Sequence, residues 1–273
     1  MNAKFVAGAI ARGAIVWDIR ATEAYFDGHV PGAVTVGPIT KALLDPKTQL
    51  FLPVESIAGT LGDAGIDLKR EIVVYGSPGS AYVYFAQFAL EYFGARQVHV
   101  FHEGLDGWTK AKRAVSTAPA KRKPVKVRPY ANPALLATTG EVLARVGNPK
   151  VQLIDVRRIA EWNGDELETL RGGHIPGAIH IPYNENLVDP DAPLKLMAKE
   201  TTDTSGMALK PMRELQKLYS GLDRRKETIV YCHTGIRASL TAAVLARLGF
   251  HSVRVYHASW FEYGNLPDAP VEQ

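Results

Sequence analysis

The residue types able to do chemistry concentrate in one stretch. Residues 227–250 read ETIVYCHTGIRASLTAAVLARLGF and hold the only cysteine of the chain, Cys232. Thr228-Ile229-Val230-Tyr231 is short, apolar and β-branched, which predicts a buried strand. Leu240, Ala243, Val244 and Leu248 recur at helical spacing and Gly249 follows as a stop signal, so a helix is predicted over 239–248. Between them runs Cys-His-Thr-Gly-Ile-Arg. A strand that feeds a tight loop and then a helix N-terminus gathers backbone N–H groups and the positive end of the helix dipole, which suits an anion. A thiol at the mouth of such a site is favoured as the thiolate, the nucleophilic form. A lone cysteine is most often a small buried hydrophobe. Here Gly235 stands three residues on, Arg237 five residues on and a helix begins at once, which favours the nucleophile.

The elements that must position this loop alternate in type. In the first half, Asn2 caps a helix through Ala11 that Gly13 ends, and Ala14–Trp17 reads as a strand. Thr35-Val36 is a short strand after a Pro-Gly turn, and 54–61 is helical. Ile72–Tyr75 is a strand, 81–92 a helix closed by Gly94, and Val98–Phe101 a strand. Strands and helices alternating at this spacing predict an α/β fold, a mainly parallel sheet with helices on both faces.

The second half repeats the first. Asp18-Ile19-Arg20 recurs as Asp155-Val156-Arg157, and Gly28-His29-Val30-Pro31-Gly32-Ala33 as Gly173-His174-Ile175-Pro176-Gly177-Ala178. Ile72–Tyr75 recurs as Thr228–Tyr231, and Leu105-Asp106-Gly107-Trp108 more loosely as His257-Ala258-Ser259-Trp260. This predicts two tandem domains, 1–115 and 134–273, joined by the basic, Pro-rich linker 116–133. Where the second copy has Cys232, the first has Gly76, so the first cannot run thiolate chemistry. The second copy also carries extra residues, about 184–212, placed equally well to wall a site or to decorate the surface.

CHTGIRAS resembles the active-site loop of the rhodanese-like sulfurtransferases, in which the cysteine takes up a sulfane sulfur as a persulfide. The paired Asp-x-Arg and Gly-His-x-Pro-Gly-Ala motifs and the closing Ser259-Trp260-Phe261-Glu262-Tyr263-Gly264 are similar to that family's pattern. The resemblance implies two rhodanese-like domains, the first catalytically silent, and a sulfurtransferase that moves sulfur from thiosulfate to cyanide or a thiol through Cys232. It implies 3-mercaptopyruvate as the alternative donor, or a persulfide carrier with a protein acceptor. Arg237 would orient the anionic donor. His233, Thr234, Gly235, Ile236, Ala238 and Ser239 would cradle the persulfide. Asp155, Arg157, His174 and Trp260 are expected to support the site. Asp18, Arg20 and His29 stand where there is no nucleophile, so the Asp-x-Arg pair and the histidine read as structural. His233, adjacent to the cysteine, is a weaker candidate for a base. The arginine that vertebrate members place six residues after the aspartate is Glu161 here, and its role falls to Arg237, Arg158 or Arg171. Protein tyrosine phosphatases also set a cysteine in a strand–loop–helix nest. Their loop has five residues between Cys and Arg and this one has four, too short to wrap a phosphoryl group.

Composition agrees with a globular protein: 46% hydrophobic and 22% charged over 273 residues. A net charge of +4 without a single patch gives no case for nucleic acid, and no apolar run predicts a membrane span. A single cysteine allows no intrachain disulfide. The chain is expected in the cytoplasm, or in the periplasm if a signal peptide preceded Met1. No cofactor or metal is expected.

Overall fold

The computed structural model describes residues 1–273. The chain divides into two units, Met1–Asn132 and Pro133–Gln273. No helix is long and apolar enough to cross a membrane.

In the first unit, β1 (Ile15–Asp18), β2 (Val34–Thr35), β3 (Ile72–Tyr75) and β4 (Val98–Phe101) form one sheet in the order β2-β1-β3-β4, every pairing parallel. In the second, β5 (Leu136–Ala137), β6 (Val151–Asp155), β7 (Ile179–His180), β8 (Glu227–Tyr231) and β9 (Ser252–Tyr256) are ordered β5-β9-β8-β6-β7, again all parallel. Both folds are thus the expected α/β type. Strands β1 and β3 are buried at every residue, as strands covered on both faces must be, and that is why they read as unbroken apolar runs rather than alternating ones.

Local chemistry sets the helices. The Asn2 side chain accepts the Phe5 N–H at 3.0 Å and starts the helix Ala3–Ala11. Ser80 caps Ala81–Tyr92 in the same way. In the second unit Gly235, at φ +80°, precedes the helix Ile236–Arg247. That helix begins three residues before the predicted start at Ser239, because Ile236, Arg237 and Ala238 form its first turn.

The strand registers align the two copies residue by residue. Asp18 pairs with Tyr75 across β1 and β3, and Asp155 with Tyr231 across β6 and β8. Tyr75 lies opposite Phe101, and Val230 opposite Val255, so Phe101 corresponds to Tyr256. Counting on, Gly104 corresponds to Ser259 and Leu105 to Trp260. The sequence match of Trp108 with Trp260 is therefore three residues out of register; Trp108 corresponds to Tyr263.

Residues 116–133 are irregular, as expected of a linker, but they are strapped to the first unit. His29 and Ser116 exchange backbone hydrogen bonds at 2.8 and 2.9 Å. Val125 N–H donates to the Gly62 carbonyl at 3.0 Å, and Asn132 N–H to that of Tyr92 at 2.7 Å. Gly62 lets the strap lie close: a Cβ there would sit 2.5 Å from the Val125 carbonyl oxygen. The second unit ends alike, with His174 and Glu272 bridged at 2.8 and 3.0 Å. The strap is thus the first copy's closing segment, and its basic composition hid that role.

Candidate active site

The duplicated polar residues hold the loops together. Arg157 clasps Asp155 through Nε (3.1 and 3.0 Å) and Nη2 (2.6 Å), and Nη2 also reaches the Gly173 carbonyl at 2.7 Å. The Arg157 guanidinium lies 4.3 Å from the Trp260 ring centroid. In the first unit Arg20 clasps Asp18 in the same way and reaches the Gly28 carbonyl at 2.6 Å. The Tyr231 hydroxyl accepts the Ile175 N–H at 3.1 Å, as Tyr75 accepts that of Val30 at 3.1 Å. His174 stacks on Trp162 at 3.4 Å and His29 on Tyr25 at 3.8 Å. Asp155, Arg157, His174 and Trp260 therefore tie the strand ends to the following turns and hold the loop's support in place.

Cys232 follows β8 directly and is 1% exposed. Its N–H donates to the Ser259 hydroxyl at 3.1 Å, and that hydroxyl donates to the Tyr256 carbonyl at 2.6 Å. Its own carbonyl accepts the Trp260 N–H at 3.0 Å, and that of His233 accepts the Phe261 N–H at 2.9 Å. The loop's ends are thus pinned to the turn after β9. Gly235 passes against His257: a Cβ there would lie 2.7 Å from Nδ1 and 2.9 Å from the His257 carbonyl oxygen. Only glycine meets both that approach and the left-handed φ.

The helix starting at Ile236 leaves the amides of Ile236, Arg237 and Ala238 without a preceding turn to bond. Ser239 falls outside this cradle. Its N–H and hydroxyl both go to the Gly235 carbonyl, at 3.0 and 2.9 Å, because the earlier helix start commits it to the first intrahelical bond.

Arg237 is bound by a residue the sequence marked only as a missing cation. Its Nη1 and Nη2 donate to the two carboxylate oxygens of Glu161 at 2.7 and 2.6 Å. Glu161 also accepts from the Arg158 N–H and Nε, both at 3.0 Å, and Arg158 pairs with Glu166 as well. The Glu161 side chain is 3% exposed. Burial alone would raise its carboxyl, but Arg237 and Arg158 outweigh it and hold it at about 2. For Arg237, burial works against the charge, while Glu161 and the nearby Cys232 raise its affinity for the proton. The Tyr183 ring, at the start of the extra segment, lies 6.0 Å from that guanidinium. Beyond Tyr183 the extra segment packs its own small core of Leu187, Ala192 and Met207.

Arg171 is spent on the C-terminal backbone, at 2.6 Å from the Ala269 carbonyl, and is not free for a donor. His233 Nδ1 lies 3.2 Å from Glu168, and burial lowers its pKa. Glu161, Glu168 and His233 bring one ligand atom each within 4.8 Å of one another. Both Glu161 oxygens are already committed to arginines, so this cluster is an ion-pair network rather than a metal centre.

The profile of the Rhodanese-like domain matches residues 2–111 and 138–266. The thiosulfate sulfurtransferase of Corynebacterium glutamicum is 34% identical over 262 residues, covering 91% of this chain and 81% of that protein. The thiosulfate sulfurtransferase of Azotobacter vinelandii is 30% identical, covering 94% and 90%. Among solved structures, the anaerobic ergothioneine biosynthesis enzyme of Chlorobium limicola superposes with a TM-score of 0.83 at 24% identity, over 100% of this chain and 69% of that one. SseA of Escherichia coli, described as a 3-mercaptopyruvate sulfotransferase, superposes with a TM-score of 0.79 at 24% identity, over 95% and 98%.

Proposed function

The chain belongs to the rhodanese family of sulfurtransferases, and on that premise we propose that it moves a sulfane sulfur from thiosulfate to a thiophilic acceptor through a persulfide on Cys232. One observation carries the assignment to this half of the chain. The only thiol lies between a buried strand and the first turn of a twelve-residue helix, and the corresponding residue of the first unit is Gly76.

The chemistry balances within two displacements. The Cys232 thiolate attacks the outer sulfur of thiosulfate, the S–S bond breaks and its electron pair leaves on sulfite. The persulfide anion then rests against the first-turn amides of Ile236, Arg237 and Ala238, which stabilise negative charge without moving. Cyanide attacks the outer sulfur, thiocyanate departs and the thiolate is restored. No external oxidant or reductant is consumed. A cellular thiol or the thiol of a protein partner takes the place of cyanide in the cell.

Intact mass spectrometry after incubation with thiosulfate tests this. The expected result is a gain of one sulfur, lost on adding cyanide with thiocyanate formed, and absent in Cys232→Ala. A sulfur gained from 3-mercaptopyruvate but not from thiosulfate would change the donor and keep the mechanism. No adduct from either would overturn the proposal.

A further inference from the structure

We infer that Glu161 is a positioning and specificity-determining residue, one that offsets the charge of Arg237 and so sets how strongly the site draws anions toward Cys232. The comparison between the two copies singles it out. Asp18, Arg20, His29 and Tyr75 all recur in the second unit, so they serve the fold. Counting from the aligned aspartates and tyrosines, Arg158, Glu161 and Arg237 correspond to Ala21, Ala24 and Ala81. The ion-pair network is confined to the unit that holds the thiol.

Its geometry restricts what Arg237 can do. Both terminal nitrogens of the guanidinium face Glu161, at 2.7 and 2.6 Å. An arginine so engaged cannot present the two-pronged face with which it would chelate an oxyanion. Arg158 adds its N–H and Nε at 3.0 Å, both to the Oε2 that Arg237 Nη1 also binds, so Glu161 is gripped by two arginines. What reaches a donor is the field of a fixed, nearly neutral pair. Such a pair orients a dianion without holding it tightly, and it lets a dianionic leaving group such as sulfite depart.

The kinetic part rests on the sulfur-transfer reading, whereas the alkylation part does not. Iodoacetate is anionic and iodoacetamide neutral. At one pH the ratio of their rates at Cys232 reports the local potential whatever fraction of the thiol is ionised. In Glu161→Gln the ratio should rise by roughly five- to tenfold, since one negative charge is lost close to the site in a medium of low effective dielectric. In Arg237→Gln it should fall by a similar factor. In the double variant E161Q/R237Q the charges cancel again, and the ratio should return to within about twofold of the starting protein. This last arm decides the matter even if Glu161→Gln alone folds poorly.

With thiosulfate, Glu161→Gln should lower KM several-fold, lower kcat, and strengthen inhibition by sulfite. Glu161→Asp should restore part of each value. A bracing role alone would raise KM and leave the alkylation ratio unmoved. A double variant that keeps the ratio of Arg237→Gln, or an unchanged ratio in Glu161→Gln, overturns the inference. A shifted ratio in a protein that transfers no sulfur leaves it standing and removes the sulfur-transfer reading instead.

Discussion

Ser259 and Gly104 occupy the same place in the two copies and share a left-handed backbone, at φ +53° and +56°. In the first unit that place must be glycine, because a Cβ there would lie 2.1 Å from the Gly76 carbonyl oxygen. In the second unit a serine bears the backbone strain, about 1 kcal/mol or more. Its hydroxyl then accepts the Cys232 N–H and donates to the Tyr256 carbonyl. The strain is tolerated where the side chain fixes the residue that carries the thiol.

Two substitutions separate these contributions. Ser259→Ala keeps the strain and leaves the buried Cys232 N–H unpaired, so it should destabilise the protein by about 2 kcal/mol. Ser259→Gly loses the same hydrogen bond but relieves the strain, and should cost about 1 kcal/mol less than the alanine. Both should reduce sulfur transfer by tenfold or more. Urea denaturation alongside a thiocyanate assay checks this; an alanine variant no less stable than the glycine variant would refute it.

His257 gives the protein a pH-dependent weak point beneath the loop. It is 2% exposed, and burial pulls its pKa from 6.5 to about 4, with a backbone hydrogen bond to Thr234 acting in the opposite direction. The folded-state value is depressed, so the unfolded chain binds the extra proton first. Stability is intact above about 6.5 and declines as pH falls toward 4, by an amount on the order of 3 kcal/mol. Melting temperature should therefore drop between pH 6.5 and 5, before most carboxylates titrate. His257→Gln should flatten that limb of the profile, and an equally steep fall in the variant would show that other groups cause it.

How far such a site can be read from sequence depends on whether a residue's partner is local. The strand, the Gly235 turn, the Asp-x-Arg clasp and the duplication all follow from short-range patterns, and each appears in the fold. The strap at 116–133 was legible as irregular but not as attached, because its bonds to His29, Gly62 and Tyr92 span long stretches of chain. In the sequence Glu161 stands out only as a position lacking arginine. Its partnership with Arg237, 76 residues away, depends on the short helix Ile159–Asn163 after β6 meeting the helix after β8. The apolar spacing starts the helix too late because Ile236, Arg237 and Ala238 precede the repeating apolar positions. That shift is what moved Ser239 out of the cradle.

Two glycines with similar φ should respond very differently to substitution. Gly177→Ala, at φ +71° with nothing within 4 Å of the new Cβ, should cost about 1 kcal/mol of backbone strain and leave transfer nearly intact. Gly235→Ala, at φ +80°, meets the His257 ring and backbone at 2.7 to 3.0 Å. The backbone contacts cannot yield by a rotamer change, so a loss of about 3 kcal/mol is expected. Transfer should fall at least a hundredfold. Similar stabilities for the two variants would refute the close approach at His257.

A thiol alone should not awaken the first unit. A cavity of about 310 Å³ lies there, lined by Arg20, Thr40, Gly76, Ser77, Ser80 and other residues, so a side chain at Gly76 would open onto real space. The new Cβ would press on Val83 and Ile19 at 3.0 and 3.1 Å, side-chain contacts that can yield by a few tenths of an ångström. What the unit lacks is the rest of the apparatus. Ala81 and Ala24 stand in for Arg237 and Glu161, Gly104 offers no hydroxyl to pin the thiol-bearing residue, and the Ser80 hydroxyl already occupies the Tyr82 N–H, the counterpart of the Ala238 amide. The double variant C232A/G76C should therefore fold, react with iodoacetamide at its one cysteine, and gain no cyanide-labile sulfur from thiosulfate. Restoring A81R and A24E together should bring a measurable gain. If the thiol alone is loaded with sulfur, the backbone cradle suffices and the ion-pair network is dispensable for the first step.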